Sequence, residues 1–78
     1  MTTSVVERTP LATDIAFSAH EMVVSLVDGR RLAVPLAWFP RLAKASLEHL
    51  QNYELMGGGE GIHWPDLDED VSVEGLLR

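Results

Sequence analysis

The stretch Met22-Val23-Val24-Ser25-Leu26-Val27-Asp28-Gly29-Arg30-Arg31-Leu32-Ala33-Val34-Pro35-Leu36 decides the fold. Its first arm is β-branched and alternating, and Asp28-Gly29 is the chain's strongest local signal: a two-residue type I′ hairpin needs positive φ at both central positions, which this dipeptide tolerates. In the second arm Leu32 and Val34 share one face while Arg31 and Ala33 share the other, so one face is core and the other wet. Pro35 has no backbone donor and ends the ladder. Before this hairpin, Ile15 to Phe17 forms a short apolar run that His20 and Glu21 interrupt, which reads as a preceding strand.

After the hairpin, Leu36, Phe39 and Leu42 fall at helical spacing, and Leu47 and Leu50 continue the stripe. Pro40 fits only the first turn of a helix, so Ala37 to Phe39 reads as a tight preliminary turn. Ser46 reads as the N-cap of a second short helix starting at Leu47, with Glu48 in its first turn. Tyr53 to Met56 reads as a strand, the glycines 57, 58, 59 and 61 as its turn, and Ile62 to Trp64 as the returning strand. Asp66 to Asp70 reads as an acidic loop, with Ser72 capping a final helical turn. The expected fold is α+β: a small antiparallel sheet of two hairpins packed on a short broken helix. Residues 1–11 read as a flexible leader and 12–78 as a single domain.

Length and charge set the functional bounds. Seventy-eight residues allow one core, and 46% apolar residues are enough to fold it. The chain has no cysteine, so no disulfide or thiolate metal site supports the core, and the cytoplasm is the expected compartment. No apolar run approaches membrane-spanning length. Twelve acidic against six basic residues give a net charge of −6, which repels phosphate backbones and argues against direct nucleic-acid binding. Basic Arg30, Arg31, Arg41 and Lys44 precede an acidic stretch from Glu48 to Glu74, so the surface is either two solvated faces or a bipolar one that orients a partner.

The motifs point away from chemistry. The glycine cluster lacks the Lys and Ser or Thr of a phosphate loop and carries Glu60 inside it. Around Asp66 to Asp70 there is neither the glycine nor the terminal glutamate of a calcium loop, and no two histidines stand at i, i+4, so no metal or other cofactor is expected. None of the serines or threonines sits in a nucleophile elbow, and catalysis is not expected either. Trp38, Phe39 and Trp64 are either core or interface, since tryptophan serves both. Arg41 is placed to lie over Trp38 or to pair with the acidic loop.

As a set, Asp28-Gly29-Arg30, Val34-Pro35-Leu36, Trp38-Phe39-Pro40-Arg41-Leu42, Gly61-Ile62-His63-Trp64-Pro65 and Leu67-Asp68-Glu69-Asp70-Val71-Ser72-Val73 resemble the bacterial family known as domain of unknown function 2442, over about residues 13 to 78. The resemblance implies a small α+β fold without established enzymatic activity. It also implies stand-alone proteins often encoded beside another small protein in toxin–antitoxin-like pairs, some with a helix-turn-helix part following. No such part follows Leu77 in this sequence, so direct DNA binding is not expected. The expectation is a cytoplasmic, antitoxin-like protein-interaction module with a basic protein partner, contacted through Trp38, Arg41, His63, Trp64, Asp68, Glu69 and Asp70. The alternatives are a metal-binding or hydrolytic site built at an oligomer interface from His20, His63 and the acidic loop, and a structural homodimer joined through a sheet edge.

Overall fold

The computed structural model describes residues 10–77. In chain order these form β1 (Ala12–Phe17), β2 (Glu21–Leu26), β3 (Arg31–Pro35), a 3₁₀ turn (Leu36–Trp38), α1 (Pro40–Ala43), α2 (Leu47–Gln51), β4 (Glu54–Met56), β5 (Gly61–Trp64), β6 (Glu69–Ser72) and α3 (Val73–Leu76). The α+β class and the antiparallel hairpins hold, and each hairpin has a third strand, which gives two sheets ordered β1-β2-β3 and β4-β5-β6. None of the helices among the described residues is long and apolar enough to cross a membrane. Of the expected leader, residues 1–9 lie outside the described residues. Pro10 is buried and the Leu11 carbonyl accepts from Val27 N–H, so the fold begins before Ala12.

In the first sheet, Met22, Val24, Leu26 and Val34 point inward, as the alternation requires. In β1 Ala12 and Ile15 are buried while Thr13 and Asp14 are exposed, which breaks the two-residue period. The cause is an irregularity in register: Ala12 pairs with Leu26 but Asp14 pairs with Ser25, so Thr13 is an extra residue in the strand. That insertion obscured the start of β1 in the sequence.

The turn between β2 and β3 differs from the expected type I′. Among the described non-glycine residues only Asp68 has positive φ, so Asp28 does not; Gly29 has φ +96°. Leu26 N–H donates to the Arg30 carbonyl and Gly29 N–H to the Leu26 carbonyl, which makes a wider loop of Val27, Asp28 and Gly29. The Asp28 carboxylate explains the difference, since it accepts from the Arg30 N–H at 3.0 Å and from Arg30 Nε at 2.8 Å and locks the loop locally.

The broken helix appears as read. Phe39 lies between the 3₁₀ turn and Pro40 at the first position of α1, and the Ser46 hydroxyl accepts from His49 N–H to start α2. Ser72 does the same for Gly75 N–H at the start of α3. The acidic segment is not all loop: Glu69 and Asp70 belong to β6. High charge hid a period of two in which Val71 and Val73 point inward while Asp70 and Ser72 point out.

Both sheets feed one core, which gathers Met22, Val24 and Val34 with Leu36, Leu42 and Leu50 and with Ile62, Trp64, Val71 and Val73. The sheets meet at the β4–β5 turn, where Ala12 N–H donates to the Gly59 carbonyl at 2.8 Å. Gly59 has φ +123°, and a Cβ there would stand 2.4 Å from the Ala12 oxygen, so only glycine lets the two backbones approach. Tyr53 reinforces the junction. Its hydroxyl accepts from the Ile15 N–H at 3.2 Å and donates to Asp14 Oδ1 at 3.1 Å. Its ring lies 6.2 Å from that of Phe17 and 6.5 Å from that of Trp64. Burial is the main cause that raises the phenol above its ordinary pKa, so it stays protonated and able to donate.

Candidate functional site

The site is the turn between β5 and β6 together with the helical elements that hold it. Pro40 starts α1 and places Arg41 one residue later, facing this turn. Arg41 Nη1 donates to the Asp68 carbonyl at 2.5 Å and lies 3.9 Å from Asp68 Oδ2 and 4.0 Å from Glu69 Oε1. Of its two sequence-derived placements, the pairing with the acidic segment is the one observed. Just past α2, Asn52 Nδ2 donates to Asp66 Oδ2 at 2.7 Å. These ties hold Asp68 at φ +52°, a left-handed conformation that aspartate adopts more readily than most residues. Its side chain remains almost wholly exposed.

His63 sits at the centre of the second sheet. It pairs in register with Glu54 on one side and Asp70 on the other, so a carboxylate stands opposite it on each neighbouring strand. Its Nδ1 donates to Asp70 Oδ1 at 2.5 Å. That hydrogen bond first, and then the charges of Asp70, Glu54 and Asp68, hold the imidazole above its ordinary pKa of 6.5 against the opposing effect of desolvation. When the ring is protonated, this contact is a charge-assisted hydrogen bond.

The two tryptophans part company. Trp64 is fully buried and its Nε1 donates to the Leu50 carbonyl at 2.8 Å, meeting a polar group that the end of α2 leaves open. It therefore belongs to the core and is removed from the expected contact residues. Trp38, at the end of the 3₁₀ turn, is 65% exposed. Arg41 reaches Asp68 and Glu69 at the β5–β6 turn, and His63 bonds to Asp70 on the strand that leaves it. His20 takes no part in that cluster; its carbonyl accepts from Leu36 N–H. Among the described residues no three histidine or acidic side chains converge as a metal-ligand group.

Sequence reading passed over Asn52 and Glu54. Glu54 could have been found by counting outward from the glycine turn, which sets it opposite His63. Asn52 carries no pattern, because its bond depends on how α2 ends beside the sheet.

The structural comparisons give the same architecture. A crystal structure of a protein of unknown function from Rhodospirillum rubrum is 32% identical, with a TM-score of 0.76, covering 90% of this chain and 87% of that one. A solution NMR structure of an uncharacterised protein from Chromobacterium violaceum is 26% identical, with a TM-score of 0.73, covering 86% of this chain and 63% of that one. Comparison with curated proteins gives no match. The model of the family described as Protein of unknown function (DUF2442) matches residues 12–78, and the chain belongs to that family.

Proposed function

We propose that the chain is a non-catalytic protein-interaction module that offers its β5–β6 turn and Trp38 to a basic protein partner, in the manner of the antitoxin-like member of a two-protein pair. The observation that carries this reading is Trp38, which remains 65% exposed in a domain whose other tryptophan is fully buried. Tryptophan is among the residues on which binding energy concentrates, and leaving so large an apolar ring in water has a cost that a partner relieves. Charge supports the choice of partner. The net charge is −6, and the exposed Asp68 stands on a turn already pinned by Arg41 and Asn52, so presenting it loses little conformational freedom. The reading takes the compartment to be the cytoplasm, since a chain without cysteine gains nothing from oxidising surroundings.

The test is coexpression with the product of the adjacent gene, followed by co-purification and titration. Trp38→Ala should weaken binding by about tenfold or more. Asp68→Asn with Glu69→Gln should weaken it further at low salt, and asparagine keeps the left-handed turn. Failure to co-elute, or binding unchanged by both sets of substitutions, would overturn the proposal.

A further inference from the structure

The outer face of the second sheet carries one row that the interaction reading leaves unexplained: Glu54 on β4, His63 on β5 and Asp70 on β6, directly opposite one another. We propose that His63 is a proton-operated clasp, which when protonated ties β6 and its acidic turn to the sheet, and when neutral loosens that tie and leaves the face one charge more negative toward a basic partner. The second half rests on the interaction reading above; the first does not.

Geometry supports the clasp. His63 Nδ1 is in direct hydrogen-bond contact with Asp70 Oδ1, a pair that becomes charge-assisted when the ring is protonated, and the His63 side chain is about 29% exposed, so solvent protons reach it. The charged groups around it come from every neighbouring element: Glu54 from β4, Asp70 from β6, Asp68 from the turn, and Arg41 of α1, which reaches that turn and offsets part of its charge. With His63 neutral, Glu54 and Asp70 remain as like charges on its two flanks, with no cation between them.

The direction follows from linkage. Native surroundings raise the imidazole above 6.5, so the folded form holds its proton more tightly than the unfolded chain does. The stability this supplies is fully present below about pH 6.5 and is lost as pH rises through the raised native value. Affinity for a cationic partner moves the other way, because each proton lost from His63 makes the face more negative. The proton therefore exchanges rigidity for attraction.

The experiment uses the full chain between about pH 5.5 and about pH 8.5, where histidine titrates. It compares thermal melting of the unsubstituted chain, His63→Gln and Asp70→Asn, follows the His63 ring by NMR, and measures binding of an oligolysine peptide. The expected results are a ring titration midpoint above that of a free histidine, a melting temperature that falls with pH more in the unsubstituted chain than in either variant, and oligolysine affinity that rises with pH more than in His63→Gln. An unshifted ring midpoint, or melting curves that share one pH slope, would sink the clasp. If peptide affinity has the same pH dependence with and without His63, the regulatory half is wrong. Should oligolysine fail to bind at any pH while the melting and ring results appear as expected, the basic-partner reading and the regulatory half fail and the clasp stands.

Discussion

The two sheets have the same strand count and the same antiparallel order, yet the balance between apolar burial and polar ties to other elements differs. Sheet β1-β2-β3 is built on burial, with Met22 and Val24 fully enclosed and Leu26 and Val34 nearly so. Sheet β4-β5-β6 has shorter strands, and its buried Ile62, Trp64 and Val71 are supplemented by polar ties from Arg41, Asn52 and His63. Apolar burial contains no titrating group, whereas ties between charged groups respond to pH and are screened by salt. The sheet held by polar ties is also the one that presents the candidate surface.

The largest test removes the one side chain on which the second sheet most depends. Trp64→Ala should destabilise the domain by about 3–5 kcal/mol, enough to unfold much of a chain this small, as read by urea titration. If the domain stays folded with a small loss, the second sheet is held by its ties and not by its core. Next comes the junction: Gly59→Ala places a Cβ against the Ala12 backbone and should cost about 1–3 kcal/mol or more. Gly58→Ala, also at positive φ (+71°) but in open space, should cost about 1 kcal/mol. Equal losses would mean that the two backbones are not in close contact.

Smaller changes sharpen the contrast. Tyr53→Phe keeps the ring contacts but removes the bridge to Ile15 and Asp14, and should cost about 1 kcal/mol by denaturant titration. Asp68→Gly relieves the left-handed residue while keeping the carbonyl that Arg41 binds, so it should stabilise by up to about 1 kcal/mol. Arg41→Ala should lower stability by less than about 1 kcal/mol by denaturant titration, since the pair is exposed, and under the proposed interaction it should also weaken binding by unpinning the turn.

The difference between the sheets also explains what could be read from sequence. The β2–β3 hairpin was legible because burial imposes a period of two, and the α1 and α2 starts were legible because Pro40, Ser46 and their neighbours act locally. β6 was not, because its outward residues are acidic and its inward ones are few, so composition outweighed pattern. Within the site, Arg41 and the acidic turn could be named because opposite charges at a bend suggest a pair. The burial of Trp64 could not, since it depends on the Leu50 carbonyl arriving from another element.

The bond between Ala12 and Gly59 joins residues from the first strand and the second sheet, far apart along the chain. Until the later sheet has been synthesised, the Ala12 amide lacks this partner, and the Ile15 amide likewise lacks the Tyr53 hydroxyl. A nascent chain stopped after the first hairpin would expose that sticky margin, so the second sheet must follow the first before the edge is protected from pairing with a sibling chain.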